Sequence, residues 1–209
     1  MSDSVPSAGP LPRHGAGTMR YEAMVMGASA GGLEALQTIL SALPTHFAIP
    51  VLIVQHLSPQ SENLLAEVLN RQCRIVVQEA EEKETPRAGM AYIAPPDYHL
   101  MVEADRTLSL SREERVNFSR PSIDVLFETA AEAYGDKLIG VVLTGANADG
   151  SQGLRVIKKF GGTCVVQDPR TAVAARMPQA AIESTRVDYV VPLVEIAPLI
   201  VGLLEGKHG

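Results

Sequence analysis

The sequence has few cysteines and no long apolar run. Its two cysteines, Cys73 and Cys164, lie in or beside apolar stretches, which favours reduced, packed thiols over a disulfide or a metal site. No apolar run approaches the ~20 residues that a membrane-spanning helix needs, and the N-terminus lacks the apolar region of a secretory signal. We therefore expect a cytoplasmic protein that is not embedded in a membrane.

A concentration of positive charge is also absent. The 18 lysines and arginines are scattered among 24 aspartates and glutamates, and the formal net charge is −6. Nucleic-acid backbones are bound by clustered basic side chains. Nucleic acid is therefore not an expected partner.

What is present suits one α/β domain, because 46% of the 209 residues are hydrophobic. Residues 1–20 are rich in Ser, Pro and Gly without a period and predict a flexible N-terminal tail, which leaves 21–209 as the domain. There, apolar runs alternate with helix-period segments, as in a three-layer α/β/α fold with a doubly wound, mostly parallel sheet. The predicted strands are Ala23–Met26, Pro50–Gln55, Arg74–Glu79, Ile139–Thr144, Thr163–Val166 and Tyr189–Val191. The predicted helices are Gly32–Leu43, Ser61–Arg71, Ser122–Tyr134, Ser151–Phe160 and Val194–Leu204.

One segment departs from this alternation of strand and helix. Three short runs, Gly89–Pro95, His99–Glu103 and Thr107–Ser111, are separated by turn residues. Short alternating runs with tight connections are typical of antiparallel pairing, so we predict an antiparallel excursion here.

Ser29 lies where an apolar strand breaks at small residues and a helix begins. Residues Gly27 to Gly31 fit the G-x-S-x-G pattern of a nucleophile elbow, in which the serine hydroxyl is exposed beside helical N–H groups that can hold an oxyanion. The dinucleotide and P-loop fingerprints are both missing. This pattern alone leaves a catalytic serine, an anion site and a merely tight turn open.

Two further polar residues follow apolar strands directly. His56 comes after Val51–Gln55, and Asp149 comes after the run that ends near Gly145. Because sites in such sheets form beyond the carboxyl ends of the strands, Ser29, His56 and Asp149 are predicted to converge as a Ser-His-Asp constellation.

The other interpretations of these positions stay open from the residues alone. His56 also fits a hydrogen-bonded loop residue, and Asp149 fits a cap of the helix near Ser151. Asp168 follows a strand too and is the rival carboxylate, while His99 and His46 are weaker candidates for the base. Ser122 is assigned only an N-cap role.

Five spaced blocks, in order from about residue 22 to 204, resemble the catalytic domain of CheB, the chemotaxis protein-glutamate methylesterase. They are Gly27-Ala28-Ser29-Ala30-Gly31-Gly32, Gln55-His56-Leu57-Ser58-Pro59, Arg120-Pro121-Ser122-Ile123-Asp124-Val125-Leu126-Phe127, Leu143-Thr144-Gly145 with Ala148-Asp149-Gly150, and Gln167-Asp168 followed by Met177-Pro178.

The resemblance implies hydrolysis of γ-glutamyl methyl esters on the cytoplasmic signalling region of chemoreceptors or similar sensor proteins, with release of methanol and often with glutamine deamidation. It implies a doubly wound domain with an antiparallel hairpin, Ser29, His56 and Asp149 as the triad, and no metal or organic cofactor. Around the triad it implies walls from loops 57–61, 118–122 and 168–178. The residues it implies for oxyanion or substrate binding are Ala30, Gly31, Ala146, Asn147, Arg120 and Met177.

The chain differs from the usual family pattern at the rim of this site. Ala30 replaces a threonine, Ala146-Asn147 replace Met-Gly, and Arg176 replaces a glycine. Arg176 is either a solvated side chain or one that suits an acidic receptor surface.

Family members normally carry an N-terminal receiver domain of ~120 residues, whereas about 20 residues precede the first strand here. We expect either a fragment or a stand-alone enzyme that is constitutive or controlled by a separate regulatory protein. Alternative hypotheses are a hydrolase of a signalling protein other than a chemoreceptor and a weakly catalytic interaction module. The intact triad argues against the module.

Overall fold

The computed structural model describes residues 20–56 and 64–207. In chain order its strands are β1 (Ala23–Ala28), β2 (Val51–Gln55), β3 (Val76–Glu79), β4 (Met90–Ile93), β5 (His99–Val102), β6 (Leu108–Ser111), β7 (Leu138–Val142), β8 (Thr163–Gln167) and β9 (Tyr189–Val191). Seven of them form the central sheet in the order β3-β4-β2-β1-β7-β8-β9, in which every neighbouring pair is parallel. The other two, β5 and β6, form a separate antiparallel hairpin.

Helices cover both faces of the sheet and make the fold three-layered. The first, second and sixth helices pack on one face, and the other three pack on the opposite face together with the hairpin. This confirms the predicted fold class. The helices are α1 (Gly32–Ala42), α2 (Leu65–Asn70), α3 (Ile123–Tyr134), α4 (Ser151–Lys159), α5 (Arg176–Ser184) and α6 (Leu193–Leu204).

Strand β1 shows why the strands have continuous apolar sequences. Met24, Met26 and Ala28 belong to the core under α1 and α6, whereas Ala23 and Val25 belong to the core under α3. Because successive side chains of a strand point to opposite faces, a strand covered on both faces is apolar at every position.

The direction in which the sheet is built reverses at β1. Strands β2, β4 and β3 extend from one side of β1, and β7, β8 and β9 extend from the other. In an open parallel sheet, the crevice at such a reversal lies beyond the carboxyl ends of the strands and is the usual place for a site. The ends of β1, β2 and β7 meet there.

The prediction that Gly89–Pro95 belongs to an antiparallel excursion was wrong. Residues Met90–Ile93 form β4, which is inserted into the main sheet parallel to β2 and β3. Parallel neighbours are normally connected through a helix, but β3 reaches β4 through the irregular segment 80–89. Without a helix-period segment before it, β4 could not be recognised as a member of the parallel sheet, whereas the hairpin of β5 and β6 was predicted correctly.

Helix α5 was missed. The Met177-Pro178 pair favours a loop in the sequence, yet Pro178 lies in the first turn of α5, where a proline removes no helical hydrogen bond. The predicted loop 168–178 is therefore partly helical. The predicted tail 1–20, apart from Arg20, and the predicted wall 57–61 lie outside the described residues. Within 20–56 and 64–207, no helix is both long and apolar enough to cross a membrane.

Candidate active site

Ser29 lies on the turn between β1 and α1, at the sheet position where the strand order reverses. The turn Gly27–Gly31, called the elbow below, ends with Gly31 in the left-handed conformation at φ 78°. The elbow pattern predicts that Gly27 is needed for the sharp turn, but the structure shows a steric reason for this glycine. A Cβ at position 27 would lie 2.3 Å from Cγ2 of Ile123, the first residue of α3. Gly27 thus lets α3 approach the end of β1.

Side chains from the two neighbouring strands hold the carbonyl groups of the elbow. The Nε2 group of Gln55 donates to the Ser29 carbonyl at 2.9 Å, and the Thr144 hydroxyl donates to the Ala30 carbonyl at 2.8 Å. In a trans peptide the N–H points away from the preceding carbonyl. The Ala30 and Gly31 amides are therefore directed away from these contacts, and neither has an acceptor within 20–56 and 64–207.

Gln55 also contacts the segment that carries the histidine. Its second Nε2 hydrogen is donated to the His56 carbonyl at 2.9 Å, so one amide group connects the elbow with the end of β2. The Oε1 atom of Gln55 is buried against Gly32, where a Cβ would lie only 1.8 Å away. A glycine at 32 is therefore required by the position of Gln55.

His56 lies beside the elbow and contacts the carboxylate of Asp149. Its backbone N–H donates to the Ala28 carbonyl at 3.0 Å, and its Nε2 atom lies 2.8 Å from Oδ2 of Asp149. The histidine side chain is 13% exposed and the aspartate side chain is fully buried. With Nε2–H donated to the carboxylate, Nδ1 is the ring nitrogen left to accept a proton.

The Asp149 carboxylate is also held by the beginning of α3. Backbone N–H groups of Ile123 and Asp124 donate to it at 2.7 and 3.1 Å, and the Ser122 hydroxyl and the Asn117 amide donate at 2.8 and 3.0 Å. Burial alone would raise the pKa of Asp149, but the hydrogen bonds from His56, Ile123 and Asn117 outweigh burial and lower it. Asp149 is therefore ionised, and its carboxylate caps the N-terminus of α3 although it is distant from that helix in the sequence.

Asp124 is a second buried carboxyl beside Asp149. Asn117 bridges the two, since its Nδ2 group donates to Oδ2 of Asp124 at 2.7 Å as well as to Asp149. Burial raises the pKa of Asp124 to about 6; the hydrogen bond from the Gly153 N–H opposes this shift, and the charge of Asp149 adds to it. Asp124 therefore loses its proton near neutral pH, whereas Asp149 stays ionised.

We expect Asp124 to make the fold less stable as pH rises from about 4 to about 6. Its pKa is 3.8 unfolded and about 6 folded, so the folded state binds more protons in this window and the free energy of unfolding falls, by on the order of 3 kcal/mol. The lowered pKa of Asp149 acts only below 3.8. Urea unfolding of the wild type and of Asp124→Asn at several pH values measures the difference, and a difference that does not change with pH would contradict the prediction.

The other predicted site residues lie in different surroundings. Ala146 is exposed, and the Asn147 side chain accepts from the Asp149 N–H at 3.1 Å. Met177 is buried against Gly145 and donates its N–H to the Gly145 carbonyl at 2.9 Å. The guanidinium of Arg120 binds Asp97 and the carbonyls of Arg112 and Glu113, so it supports the loop before α3.

The rival residues are engaged elsewhere. Asp168 caps a short 3₁₀ turn and pairs with Arg170. His99 is buried, accepts from the Ser122 N–H and contacts the Glu114 carbonyl, while His46 is exposed after α1. The structure therefore brings Asp149 and not Asp168 to His56. Within the described ranges, no three His, Cys, Asp or Glu side chains are placed to hold a metal ion.

Comparison with known families agrees with this geometry. The family model described as CheB methylesterase matches residues 24–200, which include the elbow, His56 and Asp149. The chain belongs to the CheB methylesterase family. It is an enzyme of that family, as its sequence resemblance predicted.

Several CheB-type relatives are similar over most of the chain. A protein of Leptospira interrogans (strain Fiocruz L1-130), provisionally named protein-glutamate methylesterase/protein-glutamine glutaminase, is 60% identical over 88% of this chain and 96% of its own length. Relatives with that activity name from Pyrococcus abyssi and from the group 1 operon of Pseudomonas putida are each 38% identical over 90% of this chain. The chain spans 52% and 48% of their respective lengths.

A solved structure shows the same CheB fold. The crystal structure of the Thermotoga maritima CheB methylesterase catalytic domain matches with a TM-score of 0.84 and 36% identity, over 88% of this chain and 98% of that one. The fold of this chain is thus that of a CheB methylesterase catalytic domain.

Sequence reasoning missed several residues of this CheB site. Gln55 could have been found, because it is a polar residue at the end of a buried strand, next to His56. Ser122 was assigned only an N-cap role, but its hydroxyl binds Asp149. Asn117 and Asp124 gave no local signal for their contacts, since these depend on how α3 meets the loop after β7.

Proposed function

We propose that this chain is a serine hydrolase that removes methyl groups from esterified glutamate side chains of chemoreceptors during adaptation in chemotaxis. The contact between His56 and the buried, ionised Asp149, directly beside the elbow that carries Ser29, supports this proposal most strongly. The relatives' names supply the substrate class, protein glutamate esters and glutamine amides. We propose that the reaction takes place in the cytoplasm.

In the first half of the reaction, Oγ of Ser29 attacks the ester carbonyl carbon while Nδ1 of His56 takes the hydroxyl proton. Asp149 keeps the ring in the tautomer with a proton on Nε2 and stabilises the imidazolium that forms. The carbonyl oxygen becomes an oxyanion, and the Ala30 and Gly31 amides, which have no acceptor within 20–56 and 64–207, are the donors that we assign to it. One such donor contributes about 2.7–4 kcal/mol to transition-state stabilisation in other serine hydrolases.

In the second half, the tetrahedral intermediate expels methoxide, which takes the proton from His56 and leaves as methanol. Water then attacks the glutamyl ester of Ser29, again with His56 as the base, and the products are a glutamate carboxylate and free Ser29. A glutamine side chain would pass through the same acyl-enzyme with ammonia as the leaving group. We therefore propose deamidation as a second reaction of the same triad.

Gln55→Met should slow acylation without changing substrate affinity. Methionine fills similar space but donates no hydrogen bonds, so the Ser29 and His56 carbonyls lose the group that connects them. Small misplacements of reacting groups cost up to about 100-fold in rate, and we expect kcat to fall by about 10- to 100-fold with KM changed by less than about twofold. Steady-state kinetics would measure both constants.

Gln78→Met is the matched control for this variant. Gln78 is half-buried on β3 and donates to Glu84 at 2.9 Å, away from the elbow. The control should retain wild-type kinetics. A Gln55→Met enzyme that is as fast as the wild type would contradict the positioning role.

The proposed substrate is tested with membranes that contain methylesterified chemoreceptors. Wild-type protein should release methanol from them, and the Ser29→Ala protein in an identical preparation should not. Parallel incubation with a methylesterified protein that is not a chemoreceptor shows whether the receptor itself is required. A folded wild type that reacts with a serine-directed fluorophosphonate but releases methanol only from the other protein would contradict the chemoreceptor assignment and leave the hydrolase standing.

A further inference from the structure

A bulky aromatic residue occupies a strained turn beside the candidate active site. Val116 and Ser119 exchange backbone hydrogen bonds of 3.2 and 2.9 Å, and the two residues between them, Asn117 and Phe118, have φ values of 51° and 63°. Positive φ at both central positions is a feature of type I′ turns, which favour Asn-Gly because Asn and Gly tolerate the left-handed region. Phenylalanine does not, so Phe118 is unfavourable for this backbone.

Burial of its ring does not offset this unfavourable conformation. The residue is 96% exposed, more than any other large hydrophobic residue in the described ranges. A strained residue that contributes nothing to the core is the kind of observation from which a functional role can be inferred. Phe118 therefore serves a function other than stabilising the fold.

The turn is fixed relative to the triad. Asn117, the neighbour of Phe118, donates to the Asp149 carboxylate at 3.0 Å and to Asp124 at 2.7 Å. The loop before it is fixed as well, since His99 binds the Glu114 carbonyl at 3.0 Å and Arg120 binds the preceding two carbonyls at 2.8 Å. The ring of Phe118 is thus presented from a preorganised loop that is attached to the acid of the site.

A second exposed apolar side chain lies on the nucleophile's side of the site. Val173 is 71% exposed, and a Cβ on Gly31 would lie 2.5 Å from its Cβ. Apolar side chains therefore rim the site both beside Asp149 and beside the elbow. Apolar side chains at these two positions suit contact with a protein that is itself apolar where it meets them.

We propose that Phe118 is a specificity-determining residue that buries its ring in an apolar depression of the protein substrate, next to the esterified glutamate. The occupant is the substrate protein because Asn117, the residue next to Phe118, contacts Asp149, so a protein bound at the site passes beside this turn. Aromatic side chains on rigid supports are the usual energetic centres of protein contacts. This inference rests on the proposed function, which makes the substrate a protein.

Phe118→Asn tests the proposal because asparagine suits the left-handed backbone but lacks the ring. With methylesterified receptor membranes we expect kcat/KM to fall by about 30-fold, mainly through KM, as for a strong interface residue. The rate at which a small fluorophosphonate labels Ser29 should stay within about twofold of the wild type, and the melting temperature should not fall. Phe118→Tyr, which keeps a ring, should retain most of the activity.

Phe160→Asn is the matched control, since Phe160 is 42% exposed after the C-terminus of α4, at the opposite end of that helix from Asp149. It should behave as the wild type toward the membranes. If the wild type is active and Phe118→Asn has the same kcat/KM, the inference about Phe118 is overturned and the proposed function stands. The same follows if fluorophosphonate labelling falls as much as kcat/KM, because Phe118 would then act through the triad. A wild type that labels but releases no methanol would contradict the proposed function and this inference with it.

Discussion

Asp149→Asn is expected to lower kcat by about four orders of magnitude and to destabilise the fold by on the order of 3 kcal/mol. The rate falls because an amide neither stabilises the imidazolium of His56 nor fixes its tautomer. Stability falls because Asp149 accepts hydrogen bonds from His56, Ser122, Asn117 and the beginning of α3, and an amide group would place one more donor among these buried donors. Kinetics and urea unfolding on the same preparation measure both effects.

Asp168→Asn is the control for the loss of charge at the same edge of the sheet. Asp168 is also a buried aspartate after a strand, but its partners are Arg170 and a 3₁₀ turn. We expect its variant to keep kcat within about threefold of the wild type, since Asp168 does not contact His56. If Asp149→Asn were as active as Asp168→Asn, Asp149 would not be the acid of the triad.

Ser29→Ala should abolish turnover while leaving the fold intact. Removing the nucleophile of a serine hydrolase typically costs at least about 10⁴-fold in kcat. Ser29 is half-buried, and the contacts that hold the elbow are made by its backbone and by Gln55, so the free energy of unfolding should change by less than about 0.5 kcal/mol. Asp149→Asn should lose both activity and stability. Comparing the two variants therefore distinguishes a residue that acts only in the reaction from one that also stabilises the fold.

Ser41→Ala is the matched control. Ser41 lies in the last turn of α1, and its hydroxyl donates only to the Thr38 carbonyl of the same helix. Its kcat should equal that of the wild type. Residual turnover above about 1% in Ser29→Ala would show that another group is the nucleophile, because loss of a covalent catalyst cannot be compensated by binding alone.

Much of the fold could be predicted because burial on both faces leaves a plain sequence signal. Strands such as β1 and β7 are continuous apolar runs, and helices α1 and α4, which follow them in the chain, have a helical period. The order and pairing of β4 could not be predicted, because the connection from β3 is irregular and a four-residue strand fits either kind of sheet. Helix α5 was hidden by Pro178, whose effect depends on whether it lies in the first turn or the interior of a helix.

Ser29, His56 and Asp149 could be proposed as a triad from position alone, since the ends of parallel strands meet at one edge of the sheet. The groups that hold them could not. Asn117 contacts Asp149 across 32 positions and Ser122 contacts it across 27, and these contacts exist because Gly27 and Gly150 leave room for Ile123. At Gly27 the packing of α3 explains the glycine, and at Gly150 the left-handed backbone, with φ 93°, requires one as well.

Whether Ser29 is the nucleophile of this CheB-type enzyme is tested by mapping the site of fluorophosphonate labelling on the folded wild-type protein by peptide mass spectrometry. We expect one adduct per chain, on Ser29, formed at a rate that falls when His56 or Asp149 is replaced. An adduct on a different serine, or no adduct on a protein that is folded and releases methanol, would contradict it.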